Sequence, residues 1–310
     1  MPCFRTILVA ADFSERSKSA FRFACSLAEE TKTRIFVLHV AEEPFSGGLL
    51  ERMAPRKVTD RTKQNALEEW LREEYSPDRP IEVEYRIDAG IITDQILRLT
   101  HEAGADLIVL GTHGRSGVRR ILAGSVAEAI LHRAGCSVLA LHTPGLDRPT
   151  DESIRVMLHP TDFSDRSDAA LRVARLIARD HGARLLLLYV EPIDFVAGVA
   201  LGAPLNPIGY HEPLMHLRAK VDGRDLKYPV EMQCEQGDPA TQILRVAEQI
   251  RCDLIILGSH GRTALGRLLM GSVAEAVLRR SSCPSLIIKP TRVEPARASD
   301  TLAEKATVLT

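Results

Sequence analysis

The two halves of the chain repeat each other, and this duplication limits the fold more than any other feature of the sequence. Residues 9–28 align with residues 159–178, and residues 106–136 align with residues 253–283. In the second pair, 19 of the 31 aligned positions are identical. Solenoid repeats are only about 20–50 residues long. The sequence therefore predicts two copies of a whole domain.

Domain boundaries follow from where the two copies begin and end. We predict a first domain at residues 1–143 and a second at residues 154–290. A linker that contains proline, glycine and aspartate joins them at residues 144–153. The polar tail at residues 291–310 is expected to be loose.

Short apolar runs alternate with amphipathic segments in the first copy. Between the runs, apolar residues recur at helical spacing, and Ser14 is positioned to cap the first helix. Strands that alternate with helices are typical of βαβ units, so we predict an α/β fold. Each domain would have a five-stranded parallel sheet flanked by helices, with the third strand at an edge because its apolar residues alternate. The predicted strands are residues 6–11, 34–40, 81–87, 106–111 and 137–142.

The second copy departs from the first after its second strand. Residues 191–221 are rich in proline and leave room for only a short helix. The two domains are therefore not interchangeable in function by default.

Composition and charge argue against several classes of protein. The net charge is −1, so no overall basic field points to nucleic acid or to an anionic membrane. No apolar run approaches the roughly 18 residues of a membrane span, and the first residues resemble a strand rather than a signal peptide. The six cysteines show no CxxC pairing, which favours buried reduced thiols and a cytoplasmic protein.

The same glycine spacing follows the fourth strand of each copy. Residues 111–125 read GTHGRSGVRRILAGS, and residues 258–272 read GSHGRTALGRLLMGS. Glycine permits a sharp turn or the close approach of a ligand, and a helix that begins at Gly-Ser presents amide groups to an anion. The spacing predicts a phosphate site. The alternative is that the glycines only shape a turn between strand and helix.

An aspartate follows the first strand of each copy, at Asp12 and Asp162. In an open parallel sheet, ligands bind beyond the carboxyl ends of the strands, where the strand order reverses. If the first and fourth strands are neighbours, the aspartate and the glycine loop face one crevice. A carboxylate repels phosphate but suits a ribose hydroxyl or a base amine, which predicts a nucleoside phosphate. The alternative role is a turn-forming aspartate before Phe-Ser.

These residues together resemble the universal stress protein family, as two fused domains of its ATP-binding branch. The resemblance rests on Asp12 in AADFS, Val40 in LHV and GTHGRSGVRRILAGSVAEAI, and on PTDFS, LYV and GSHGRTALGRLLMGSVAEAV in the second copy. It implies doubly wound domains with strand order 3-2-1-4-5. It also implies a pseudo-two-fold pairing of the two domains through strand five, and leaves open whether two chains associate further.

The resemblance implies an ATP site in each domain, with AMP or ADP as alternatives and Mg²⁺ as a companion of the nucleotide. The aspartate and the valine of strand two would meet adenine and ribose, and the glycines and Gly-Ser would hold the phosphates. The candidate residues of the first domain are Ala11, Asp12, Val40, Gly111, His113, Gly114, Arg115, Gly124, Ser125 and Val126. Those of the second domain are Thr161, Asp162, Val190, Gly258, His260, Gly261, Arg262, Gly271, Ser272 and Val273.

Few residues support catalysis or metal binding. No acidic or nucleophilic partner recurs near His113 and His260, so we expect them to pack in the loop or contact phosphate. His211 and His216 lack the i, i+4 spacing of a zinc pair, and we predict no metal site.

We therefore expect a nucleotide-binding stress-response regulator that acts on an unidentified protein partner. No Gly-x4-Gly-Lys-Ser/Thr loop supplies the lysine of a dedicated P-loop hydrolase. The alternatives are a slow ATPase or nucleotidyl-transfer enzyme, and a stress scaffold that binds no nucleotide.

Overall fold

A computed structural model gives the fold. Among the helices that it describes, none combines the length and the apolar character of a membrane span. The predicted tail and all but the last residue of the predicted linker lie outside the described residues. The structure describes residues 3–28, 33–41, 60–112, 124–141, 153–192, 211–221, 227–260 and 270–289.

Ten strands and eight helices alternate along the described residues. Their bounds in the first copy lie within about two residues of the predicted ones, because the apolar spacing that predicts them is the spacing that the core requires. The strands are β1 (Thr6–Ala11), β2 (Arg34–Ala41), β3 (Glu82–Ala89), β4 (Leu107–Gly111), β5 (Ser137–Leu141), β6 (Val156–Thr161), β7 (Arg184–Glu191), β8 (Val230–Gln236), β9 (Leu254–Gly258) and β10 (Ser285–Ile288).

Helices connect most of the strands and begin at side-chain caps in several places. The Ser17 N–H donates to Ser14 Oγ at 3.2 Å, so Ser14 caps the first helix as predicted. The second copy has a helix of only 10 residues where the first has 15, as the proline-rich segment indicated. The helices are α1 (Glu15–Ala28), α2 (Asp60–Glu74), α3 (Ile92–Glu102), α4 (Ser125–Arg133), α5 (Asp165–His181), α6 (His211–Lys220), α7 (Pro239–Gln249) and α8 (Ser272–Arg280).

All ten strands form one sheet in the order β3-β2-β1-β4-β5-β10-β9-β6-β7-β8. The strand order 3-2-1-4-5 occurs in each half, read from opposite edges, and the α/β fold class is confirmed. The third strand of each half lies at an edge, as its alternation predicted. All neighbouring strands are parallel except β5 and β10, which are antiparallel with Leu139 opposite Leu286. The two halves therefore meet through their fifth strands within one chain.

The sheet buries apolar side chains on both faces, and each core layer runs through both halves. Ile7 and Val9 face the layer that contains Phe21 of α1, together with residues of α2, α5 and α6. Leu8 faces the other layer, where Ile96 of α3 packs with residues of α4, α7 and α8. A parallel strand covered on both faces is a continuous apolar run, which is why these strands show no alternation.

Polar contacts reinforce the junction between the halves. Lys289, just beyond β10, donates from Nζ to the carbonyl oxygens of Leu131 at 2.6 Å and Ala134 at 2.8 Å. These carbonyls end α4 of the other half, where a cation is favoured by the helix dipole. Burial lowers the pKa of the Lys289 ammonium.

The cysteines correct one expectation. All six lie within the described residues and remain thiols, as predicted, but only three of them are buried. The other three lie before β1, on α1 and in edge strand β8, where the core does not enclose them. The partly buried thiols are Cys3, Cys25 and Cys234.

Replacing Lys289 with methionine is expected to destabilise the protein by about 1–3 kcal/mol, because two buried carbonyl groups lose their donor. Urea unfolding of the full chain measures the change. Lys227, which is exposed, provides the matched control Lys227→Met, whose effect should be within about 0.5 kcal/mol. Equal effects of the two substitutions would contradict a role of Lys289 at the junction.

Candidate functional site

Each half of the sheet has a cavity at the carboxyl ends of its central strands. The cavity of the first half measures about 230 Å³ and that of the second about 340 Å³. Each lies where the strand order reverses, between β1 and β4 or between β6 and β9. Because the connections from these strands leave in opposite directions, the crevice stays open to a ligand.

The first cavity brings together the predicted residues that the structure describes. The aspartate after β1, the valine of β2 and the Gly-Ser at the start of α4 all contribute to its wall. His113, Gly114 and Arg115 lie outside the described residues. The predicted residues that line this cavity are Ala11, Asp12, Val40, Gly111, Gly124, Ser125 and Val126.

The second cavity repeats this arrangement. Of the predicted residues, Gly261 and Arg262 lie outside the part of the chain that the structure describes. The predicted residues that line this cavity are Thr161, Asp162, Val190, Gly258, His260, Gly271, Ser272 and Val273.

Both cavities have an apolar wall that sequence reasoning missed. Ile92 and Ile96 of α3 line the first cavity, and Pro239 and Ile243 of α7 line the second. These residues occupy equivalent positions, 147 residues apart. The apolar residues at the start of the helix after strand three were the available signal. Such a wall suits the flat, weakly polar face of a nucleobase.

The aspartate after the first strand of each half shapes a turn as well as lining the cavity. Asp12 Oδ1 accepts from the Ser14 N–H at 2.9 Å and from Ser14 Oγ at 2.5 Å. Asp162 accepts from the equivalent serine in the same way. Phe13 and Phe163 lie between the aspartate and the serine of each turn. Their φ values are 63° and 62°, which are rare for a bulky residue. Backbone strain of this kind concentrates at functional sites.

Different side chains support this turn in the two halves. The Phe13 N–H donates to Tyr75 Oη at 2.9 Å, whereas the Phe163 N–H donates to Thr161 Oγ1 at 3.1 Å. Tyr75 is buried, which raises the pKa of its hydroxyl to about 12. Thr161 is the counterpart of Ala11 in the first half. Its hydroxyl, at the end of the strand, accepts the hydrogen bond that Tyr75 accepts in the first half. Thr161 therefore has a structural contact in addition to its place in the cavity.

Gly124 and Gly271 precede helices α4 and α8, whose first turns have no side-chain cap among the described residues. Gly124 has φ −53° and ψ 149°, and Gly271 has φ −64° and ψ 143°, values that any residue can adopt. Backbone conformation thus does not require glycine at either position. In contrast, Ser164 and Asp238 cap α5 and α7 with their side chains. The uncapped amide groups of α4 and α8 are suited to an anion.

Gly111 and Gly258, which end the fourth strand of each half, have a packing role. A Cβ atom at Gly258 would lie 3.0 Å from the backbone carbon and oxygen of Arg166, and one at Gly111 would lie 3.2 Å from the Cβ of Arg16. The first turn of α5 or α1 therefore touches the end of the fourth strand in each half. Glycine is needed there for close helix packing, whatever else the loop does.

Substituting alanine at three glycines separates this packing role from the general cost of losing a glycine. Gly258→Ala is expected to cost about 1–3 kcal/mol in the free energy of unfolding. Gly111→Ala should cost less, because its nearest neighbour lies 3.2 Å away rather than 3.0 Å. Gly135→Ala is the control, because no atom lies within 4 Å of the added carbon. Urea unfolding measures all three, and equal costs would contradict the packing explanation.

His260 lines the second cavity, and its surroundings favour the neutral form of its ring. Its Nδ1 lies 3.0 Å from Ser259 Oγ, and its Nε2 is buried with no hydrogen-bond partner among the described residues. Burial, followed by the positive charges of Arg166 and Lys289, lowers its pKa. A neutral imidazole with an unsatisfied nitrogen can hydrogen-bond a polar ligand group.

The universal stress protein family matches the chain twice, at residues 4–142 and at residues 153–289. The chain belongs to the universal stress protein family. Its two matches cover both halves of the ten-stranded sheet, so the chain is a tandem member, with two family domains in one polypeptide.

Relatives support both the family and its tandem form. A universal stress protein of Methanocaldococcus jannaschii is 33% identical over 141 residues, covering 44% of this chain and 82% of the relative. One from Mycolicibacterium smegmatis is 26% identical over 299 residues, covering 92% of this chain and 97% of the relative. The crystal structure of an Archaeoglobus fulgidus universal stress protein has a TM-score of 0.60 at 22% identity, covering 93% of this chain and 96% of that one. That structure supports the fold.

The two domains of this universal stress protein differ beside their cavities. His159 of β6 stands where the first domain has Val9, and it is completely buried. Its Nδ1 lies 2.9 Å from the Ile256 carbonyl oxygen, and its Nε2 lies 3.4 Å from Oγ of Ser167, which lines the second cavity. Burial lowers the pKa of His159 to about 4.

His159 is expected to make stability depend on pH between its unfolded pKa of 6.5 and its folded pKa of about 4. In this window the unfolded chain binds a proton that the folded chain does not, so falling pH favours unfolding. Relative to His159→Val, the wild type should lose about 3 kcal/mol more stability between about pH 7 and pH 4. Urea unfolding across this range measures the difference, and parallel pH profiles would contradict it.

Proposed function

We propose that this tandem universal stress protein binds an adenine nucleotide, in the first place ATP with Mg²⁺, in the cavity of each domain. Binding would bias the arrangement of the two domains and thereby regulate a protein partner during stress, in the cytoplasm. Binding rather than fast turnover is the proposed activity, since the chain has no P-loop lysine.

The proposal rests on the starts of α4 and α8 at Gly124 and Gly271, where no described side chain caps the helix. Glycine is not required there by backbone conformation, because the φ and ψ values of both residues are ordinary. A side chain at either position would stand beside the amide groups that open into the cavity. The absence of one is useful to a protein that binds an anion at this point. The same arrangement in both domains supports a phosphate site over a simple turn.

The remaining walls suit the uncharged parts of a nucleotide. The apolar residues of α3 and α7 provide a surface for adenine, and the valines at Val40 and Val190 extend it. Asp12 and Asp162 line the cavities beside the strained turn, where a carboxylate can accept from ribose hydroxyls. A carboxylate at one part of a cavity and helix amides at another favour a ligand with both hydroxyl and phosphate groups.

Thermal unfolding with and without Mg-ATP tests the proposal on nucleotide-free protein. ATP at about 100 times its dissociation constant should stabilise the wild type by about 2.7 kcal/mol. Gly124→Asp and Gly271→Asp each place a negative side chain at the proposed phosphate position, so each should remove the contribution of its own domain. Gly135→Asp, which lies away from both cavities, should keep the full shift.

The pattern among the variants decides between the possible roles. If only one of Gly124→Asp and Gly271→Asp loses the shift, that variant identifies the domain that binds ATP. Partial loss in both of them indicates two sites. If ATP does not stabilise a folded wild type, the glycines only turn the chain. A scaffold role would then replace the proposed switch.

A further inference from the structure

The junction between the domains brings three metal-ligating side chains together, away from both cavities. Glu128 and His132 lie on α4 of the first domain, and Glu275 lies on α8 of the second. Each offers one ligand atom, and these three atoms lie within 4.8 Å of one another. Neither domain contains the whole set, so only the pairing of the two domains creates it.

The set arises because one position differs between the two copies. Glu275 is the counterpart of Glu128, and Arg279 is the counterpart of His132, each 147 residues further along the chain. If position 132 carried arginine, as position 279 does, the junction would contain only ion pairs. Histidine in one copy adds an imidazole four residues after a glutamate, on the same face of one helix.

Arg279 leaves part of each carboxylate available. Its Nη2 lies 2.5 Å from Glu128 Oε1 and 2.9 Å from Glu275 Oε1. Each carboxylate has a second oxygen, Oε2, to which the structure assigns no hydrogen bond or ion pair among the described residues. Carboxylates that bind a metal are commonly hydrogen-bonded by a neighbouring residue, which orients them. Arg279 is placed to orient both glutamates in this way.

The imidazole of His132 has an unsatisfied atom. Its Nδ1 is buried and has no hydrogen-bond partner among the described residues. A buried polar atom without a partner is uncommon and is costly unless water or an ion satisfies it. Either ring nitrogen of a histidine can bind a metal while the other takes a different partner.

We propose that Glu128, His132 and Glu275 bind a divalent transition-metal ion, with Zn²⁺ as the first candidate, and that this ion links the two domains. One imidazole and two carboxylates are a ligand set that Zn²⁺ accepts, and three protein ligands leave a fourth position for water. The side chains of Glu128 and Glu275 are 42% and 34% exposed, so an ion can reach the site from solvent. The metal would strengthen the contact between α4 and α8.

Zinc titration of the chelator-treated, nucleotide-free full chain tests this site, with a chromophoric zinc chelator as competitor. The wild type is expected to bind one Zn²⁺ tightly, with a higher melting temperature in its presence. His132→Gln and Glu275→Gln should each weaken binding at least tenfold and abolish the thermal shift. His101→Gln is the matched control, because this exposed histidine ends α3 outside the cluster and should leave both values unchanged.

Two results would overturn the site. The first is a wild type that binds no Zn²⁺ in competition with the chelator. The second is tight binding with unchanged affinity in His132→Gln or Glu275→Gln, which would place the metal elsewhere, for example on the cysteines. Far-UV circular dichroism establishes that each variant is folded. The nucleotide sites play no part in this test, so its result is independent of ATP binding.

Discussion

The antiparallel pairing of β5 with β10 is the interaction on which the rest of the structure depends. It converts two five-stranded sheets into one, so the fully buried strands at Leu139 and Leu286 are not left as apolar edges. The outer edges of the combined sheet are the third strands, which carry charged residues. The same pairing brings Lys289 to the end of α4 and Glu275 to Glu128, so the helices above the junction depend on it as well.

Duplication has kept the architecture of the two domains while allowing single positions to diverge. The strained turn after the first strand is present in both, but Tyr75 supports it in one domain and Thr161 in the other. The second domain has the buried His159 where the first has a valine, and it has Arg279 where the first has His132. These differences concentrate beside the cavities and at the junction. They would allow the two proposed nucleotide sites to bind with different strength and to respond differently to pH.

Local spacing predicted much of this fold and only part of its site. The apolar runs predicted the strands and helices, and the serine before α1 predicted its cap. The shared Gly-Ser marked the start of α4 and α8. The apolar wall at Ile92 and Ile96 was missed, because the neighbouring sequence does not show that the start of α3 lies beside the end of β1. The packing role of Gly258 was also missed, since it depends on the backbone of Arg166, some ninety residues earlier.

The sequence by itself determined the duplication, the alternation of strand and helix, and the residues that follow each strand, because these depend on spacing between near neighbours. Strand order and the meeting of the domains through β5 came from the family resemblance rather than from spacing. Only the tertiary structure decided which ends of the chain share a cavity and which glycines lie against a neighbouring helix. It alone placed His132 beside Glu275, because contacts between residues far apart in the chain depend on how whole elements pack.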